Sequence, residues 1–533
     1  MRRWNGWGDE AIEFALAPGV LEFLQQRIGL AAPPNDATMA QACRMVEETR
    51  LPPHPLVDVR PEIRVRHALG QSLSDWLKLR YGRIGATPDG VAFPESSAQV
   101  RELLDYAQGC DAIVIPYGGG TSVVGHLTVA AGSRPVLSVD LSRLSQLLDL
   151  DRLSQLASFG AGIAGPDLEA KLRAQGYTLG HFPQSFDYST LGGWIVTRSS
   201  GQQSLRYGRI ERMFAGGKLE TPVGTLTMPT FPASAAGVDL REMVLGSEGR
   251  FGILTEATVR ITPLPPREEF HAVFFPNWEQ ARTAARSIVQ AGLPLSMLRL
   301  SNPLETLTAL TLAGRKTLIG LLNGYLGWRG CGEQKCMMLI GASDAESVVE
   351  AALKGALRIA RRHSGVHLGA SLGEKWKHNR FRNVYLRNEL WKHGYAIDTV
   401  ETAVDWPRVD ATMHAVEAAA CAALAADGER VLSYTHLSHL YPEGASVYTT
   451  SVFRLSGDFE HDHARWRSMK TRICEAIVAH GGTISHQHGV GVDHAPYLAA
   501  EKGTLGVAAI RSLCRHFDPD GTMNPGKLLP VEG

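Results

Sequence analysis

Three successive glycines closed by two hydroxyl residues, in Ile115-Pro116-Tyr117-Gly118-Gly119-Gly120-Thr121-Ser122, follow directly on the apolar stretch Ala112-Ile113-Val114-Ile115. A strand that runs straight into glycines offers backbone N–H groups to an anion with no Cβ in the way, and Thr121 and Ser122 add hydroxyl donors. Such a turn suits a pyrophosphate. The spacing is not G-x-G-x-x-G and no Gly-Lys-Ser or Gly-Lys-Thr follows, so neither the dinucleotide fingerprint nor the P-loop describes it. Alone, the run is a flexible turn. Its weight comes from three companions: Gln184-Ser185-Phe186-Asp187-Tyr188-Ser189-Thr190-Leu191-Gly192-Gly193, Thr197-Arg198-Ser199-Ser200-Gly201, and Gly246-Ser247-Glu248-Gly249-Arg250-Phe251-Gly252 leading into Ile253 and Leu254. Each sets small and hydroxyl residues between apolar strands, as a long cofactor lying along a fold requires.

The 533 residues can bury at least one large core and predict two domains. Lys plus Arg and Asp plus Glu both number 54, so no net field draws nucleic acid or an anionic membrane. No apolar run is long enough to cross a bilayer, although peripheral membrane contact and a homodimer remain compatible with the composition. The start has no secretory pattern, and seven scattered cysteines argue against a disulfide framework, which makes a cytoplasmic setting the default. Cys331 and Cys336 lack a second ligand pair and read as ordinary thiols, so no metal is expected.

Along the chain, residues 1–85 read as a mainly helical extension, and residues 86–266 as the cofactor domain. A capping box at Ser96-Ser97-Ala98-Gln99 opens a helix with Val100, Leu103, Leu104 and Ala107 at helical spacing. Strands are predicted at 135–139 and 252–261, ended by Pro263-Leu264-Pro265-Pro266 as a boundary. Helices at 278–291 and 344–363, alternating with strands, predict a second α+β domain over 267–456, and the turn-rich 457–533 segment returns to the first.

Candidate chemistry lies late in the chain. In His486-Gln487-His488 an extended backbone puts both imidazoles on one face, where they can exchange protons near neutral pH. Tyr448 reads as one position of a strand. Arg299 and Arg387 carry the paired donors that suit phosphate or carboxylate, and Arg299, among apolar residues, departs further from a surface arginine. His436 and His439 sit close together at a strand end and are candidates for lining the same site.

Taken in order, Pro-x-Gly-Gly-Gly-Thr-Ser, Ser-Thr-x-Gly-Gly-Trp and Gly-Ser-Glu-Gly-x-x-Gly resemble the vanillyl-alcohol-oxidase type of FAD-binding fold, and within it the alkyldihydroxyacetonephosphate synthases. The likeness runs from Arg3-Trp4-Asn5-Gly6-Trp7-Gly8 through Ile484-Ser485-His486-Gln487-His488-Gly489-Val490-Gly491 to Pro525-Gly526-Lys527. It implies an α+β chain with a two-part FAD-binding domain and an α+β substrate-capping domain. It also implies that residues 116–122, 184–190, 197–200 and 248–254 contact FAD. The glycine loop holds no histidine, which implies non-covalent FAD.

The implied reaction exchanges the acyl group on dihydroxyacetone phosphate for a fatty alcohol without net redox. Tyr448 is then the proton acceptor, His486 and His488 move protons, and Arg387 anchors phosphate. Gln487 departs from the family, which has histidine there, and from related D-2-hydroxy-acid dehydrogenases, which often have glutamate. It keeps a true FAD-linked oxidoreductase of a hydroxy acid as the alternative. If the middle imidazole is needed, Gln487→His raises synthase activity; if Gln487 only orients the substrate by hydrogen bonds, the change is neutral or harmful.

Overall fold

A computed structural model describes residues 1–17, 19–314 and 316–530. The glycine loop hangs from a four-stranded sheet whose order is Val57–Asp58, Gly90–Ala92, Val136–Asp140 and Ile113–Tyr117. The last three strands run parallel, and they are buried almost throughout, which their unbroken apolar runs require. Ile113–Tyr117 is an edge strand, and residues 522–524 cover it. Val114 donates to the Thr522 carbonyl at 2.8 Å and accepts from the Asn524 N–H at 2.9 Å.

The helix Ser97–Gly109 packs on this sheet. Ser96 caps it, its hydroxyl accepting from the Gln99 N–H at 3.2 Å. The Gln99 carboxamide reaches back to the Glu95 N–H rather than to Ser96, so the predicted box closes one residue early. A second, antiparallel sheet of five strands follows, in the order Leu147–Asp151, Leu156–Gly160, Ile253–Arg260, Phe214–Thr221 and Gly224–Met228.

Past Pro265 and Pro266 the chain enters a seven-stranded antiparallel sheet. Its order is Val366–His367, Arg267–Phe275, Cys336–Asp344, Met297–Ser301, Leu432–Leu437, Gly444–Arg454 and Tyr395–Asp405. Helices Trp278–Gln290 and Glu346–Arg362 pack their alanine-rich faces on it.

Two stretches differ from the sequence reading. The described part of residues 1–85 holds four short helices, Val20–Ile28, Met39–Arg44, Pro61–Arg66 and Leu73–Arg80, joined by irregular chain and by the strand Val57–Asp58. They are also no appendage: Trp7, Leu73, Trp76 and Leu77 share a core with Tyr385, Trp391 and Phe453. Some of their apolar residues bury each other in a small core around Ala42, Val65, Leu69, Leu79 and Ile84, and the rest complete a neighbour's core. The 457–533 stretch contains the long helices Phe459–Ala479 and Leu498–Phe517, the latter kinked at Gly503 with φ 64°. Among the described residues no helix is long and apolar enough to cross a membrane.

Candidate functional site: a flavin cradle and a histidine–tyrosine cluster

The glycines of the loop are demanded by close packing. A Cβ on Gly118 would lie 2.5 Å from Thr190 Oγ1, and one on Gly119 would overlap the Tyr188 carbonyl. The loop is thus clamped against the Gln184–Thr190 segment, where Thr190 caps the helix Leu191–Val196 through the Gly193 N–H at 3.3 Å. The clamp leaves the N–H groups of Gly119, Gly120, Thr121 and Ser122 without a hydrogen-bond partner among the described residues. Ser200 Oγ, Ser247 Oγ and Asn524 Oδ1 are also buried without partners. Buried polar groups are rarely left unpaired, so these fit a long polar ligand such as a dinucleotide.

Other predicted cofactor contacts face elsewhere. Arg198 reaches Glu242 at 2.5 Å and the Leu245 carbonyl at 3.2 Å. Gln184 donates to the Arg380 carbonyl and accepts from Gln202. Burial raises the Asp187 carboxyl above its ordinary value. Glu248, at φ 53°, accepts from the Val490 and Gly491 N–H groups, at 2.5 and 2.8 Å, and lies 3.0 Å from His126. Its side chain therefore ties the cradle to the loop that follows His488. Sequence reading missed Asn524, whose Nδ2 donates to the Glu248 carbonyl at 2.9 Å, and Lys527, which burial pushes down to about 8.

The second half of the site is laid out by strand register. Tyr448 stands opposite His436 on one side and Glu401 on the other. Its ring stacks on His436 with centroids 4.7 Å apart and meets His488 edge-on at 5.9 Å. Burial pushes the Tyr448 hydroxyl up to about 12, against the pull of Arg299 and Arg387, so it is a protonated phenol at neutral pH. Burial lowers His436 and His488, which are neutral bases beside it.

Asn302 caps the helix Pro303–Leu312 and thereby aims Glu305 at this cluster. Glu305 binds His436 Nδ1 at 2.9 Å and Arg299 Nη2 at 2.8 Å. Arg387 has the freer charge, which reverses the ranking drawn from sequence. It is half-buried, its guanidinium lying over the Trp76 ring at 4.3 Å, and Nη1 donates to the Gln71 carbonyl at 2.9 Å. No carboxylate pairs with it among the described residues.

His486 and His488 stand in irregular chain rather than the extended backbone expected; both lie near Glu401 and His439, and it is His488 that meets the Tyr448 ring. The loop at 486–488 is irregular, so period-two alternation does not apply. His486 Nε2 meets Tyr441 Oη at 2.7 Å and Arg209 Nη1 at 2.9 Å, and the ring lies 4.8 Å from His439. Gln487 Nε2 donates to Glu401 Oε2 at 2.5 Å. Glu401, His439 and His486 together offer three ligand-type atoms within 4.8 Å of one another. Glu401, Tyr441 and Arg209 carried no sequence signal that set them apart.

Residues 88–228 match the family described as FAD binding domain, and residues 264–528 match FAD linked oxidases, C-terminal domain. An alkyldihydroxyacetonephosphate synthase from Dictyostelium discoideum is 32% identical over 88% of this chain and 77% of its own length. The chain belongs to the alkyldihydroxyacetonephosphate synthase family. A Trypanosoma brucei brucei member is 29% identical over 99% of this chain and 92% of its own. A solved structure of an alkyldihydroxyacetonephosphate synthase superimposes with a TM-score of 0.83, at 25% identity, over 98% of both chains. This synthase-family chain therefore has the two-part flavin-binding fold with a capping domain, and its cofactor is FAD.

Acid should destabilise this family member. Burial lowers His181 to about 3 and His486 to about 4, from 6.5 when unfolded. The unfolded chain binds more protons between those values, so stability present above pH 6.5 is lost as pH falls toward 4. Each histidine contributes a slope of about 1.4 kcal/mol per pH unit there. Glu305, held at about 2, and Glu401 add to the loss, while Asp493, raised by burial to about 6, opposes it between pH 6 and 4. Thermal melts should show a flat Tm above pH 7 and a steep fall below 6.5; a Tm unchanged between pH 7 and 5 contradicts the assignment.

Proposed function

We propose that this chain is an FAD-dependent enzyme that exchanges the acyl group of acyl-dihydroxyacetone phosphate for a fatty alcohol. The observation that carries the reading is Tyr448 set between neutral His436 and His488, with the unpaired cation of Arg387 coupled to it. The reaction breaks the ester C–O bond at one dihydroxyacetone carbon and forms an ether C–O bond there. Acyl-dihydroxyacetone phosphate and alcohol become alkyl-dihydroxyacetone phosphate and fatty acid, with no net oxidation. FAD, bound without a covalent link in the cradle of residues 116–122 and 184–190, would supply an electron-poor ring to the exchange.

Arg387 holds the phosphate, because a half-buried guanidinium lacking a carboxylate partner gains most from a dianion. Tyr448 carries the proton at the reacting carbon. It can accept one only as its own phenolic proton leaves, and His436 and His488 are the neutral groups placed to take it. The Arg299–Glu305 pair keeps the His436 ring against Tyr448.

The Gln487 amide donates to Glu401, within the protein, which favours a role in holding its own loop over both the missing-imidazole and the substrate-orienting ones. Gln487→His, which retains an N–H donor, should then change ether formation by less than about threefold, well under the effect of a positioned acid or base. Both points are read in one assay of purified protein with acyl-dihydroxyacetone phosphate and a long-chain alcohol, with flavin absorbance recorded alongside. Ether product with the flavin staying oxidised is the expected result. Steady bleaching by a D-2-hydroxy acid, with no ether product, turns the reading to the oxidoreductase. A gain of tenfold or more in Gln487→His restores the imidazole argument.

A further inference from the structure

Glu401 stands on the central reach of the strand Tyr395–Asp405, with its side chain fully buried. Ser438 Oγ and Gln487 Nε2 donate to its two oxygens, one to each. His486 Nδ1 and His439 Nδ1 lie 3.3 and 3.4 Å from Oε1. Burial alone would raise this carboxyl, but the two rings around it hold it well below the ordinary range. It is an anion set among donors.

The far side of His486 fixes what Nδ1 must be. Arg209 Nη1 can only donate, so Nε2, 2.9 Å away, carries the lone pair. A neutral ring then bears its proton on Nδ1, the nitrogen facing Glu401. That contact is too loosely aligned to be a full hydrogen bond and acts electrostatically. Both nitrogens of His486 are thus committed to the protein. The next ring along, His488, is the one left facing Tyr448.

We propose that Glu401 is a positioning residue of the exchange reaction: together with Arg209 it holds His486 in one tautomer, it fixes the amide orientation of Gln487, and so it keeps the Ser485–Gly489 loop with His488 against Tyr448. The proposal rests on Tyr448 and His488 doing the chemistry. It gives the cluster of Glu401, His439 and His486 a role without a metal ion, since a cation at His486 Nδ1 would have to displace the proton that Arg209 enforces there.

The test compares wild type, Glu401→Gln and the double variant Glu401→Gln/Gln487→Glu as FAD-loaded proteins. Glu401→Gln puts an amide NH2 where only acceptors fit. The double variant restores a carboxylate facing an amide across the same pair. Expected for Glu401→Gln is a kcat lower by about 10²-fold with KM within about threefold, FAD content and Tm near wild type, and partial recovery in the double variant. With selectively 15N-labelled histidine, one histidine signal of wild type should report a protonated Nδ1 and a bare Nε2, and lose that pattern in Glu401→Gln.

Activity of Glu401→Gln within threefold of an active wild type overturns the proposal and leaves the synthase reading standing. So does loss of activity accompanied by a matching fall in Tm or FAD content with no tautomer change. A stoichiometric divalent metal in purified wild type, lost in Glu401→Gln, overturns it too. If wild type makes no ether product, the synthase reading fails, and with it the proposed role in this reaction; the NMR pattern then reports only on the geometry.

Discussion

Gly119→Val should leave a folded protein that has lost most of its FAD. The added branched side chain would stand where the Tyr188 carbonyl is, and backbone cannot move aside as a flexible side-chain tip can. The loop must swing away from the 188–190 segment, carrying the open N–H groups of Gly119 to Ser122 out of register with Thr190. Holding a pyrophosphate through several aligned amides depends on that register, so flavin released on denaturation should fall by more than about tenfold per mole of protein, the loss of at least about 1.4 kcal/mol of binding. Circular dichroism separates this from global unfolding. Gly132→Ala, where nothing lies within 4 Å of the new Cβ, is the matched control and should keep its FAD. Full flavin content in Gly119→Val would mean that the loop does not grip the cofactor.

Tyr448→Phe should keep FAD and lose turnover by about 10² to 10⁴-fold, the range for one positioned proton-transfer group. The phenylalanine ring can still stack on His436 at the same register position, so the sheet and the cradle are undisturbed. What disappears is a hydroxyl that burial holds as a phenol up to about 12. Because that proton must leave as another arrives, the loss should fall on kcat, with KM nearly unchanged. His488→Phe should share the defect, while Tyr448→Phe with near-normal turnover returns the tyrosine to a packing role.

Much of this site was legible because it is local. The glycine loop, its preceding strand and the segments at 184–193, 197–201 and 246–252 each announce themselves over fewer than a dozen residues, and the structure brings the first two into direct contact. Tyr448 and His436 were found singly, and strand register supplied the stacking that sequence could not. What stayed hidden depends on distant chain. Glu401 is one of three acids in its strand, with nothing to single it out until residues 438, 439, 486 and 487 surround it. Arg387 resembled a surface arginine because its burial comes from Trp76, at the other end of the sequence. Residues 1–85, read as a mainly helical extension, also pack on chain that lies far from them in the sequence. Their short helices close one small core of their own, around Val65, Leu69, Leu79 and Ile84, and only the fold shows that they also finish a neighbour's.

The covering of the Ile113–Tyr117 edge by residues 522–524 bears on how the molecule is born. As the chain leaves the ribosome, this strand and its glycine loop emerge early, yet the Asn524 amide that reaches the His126 carbonyl is encoded 398 positions later. Until then the strand keeps an unpaired edge, the kind of surface that recruits wrong partners, and the nascent polypeptide depends on holding chaperones or on speed to keep it solvated. The strand beneath the glycine loop therefore gains its last hydrogen-bonded neighbour only when translation has delivered the final tenon of the joint.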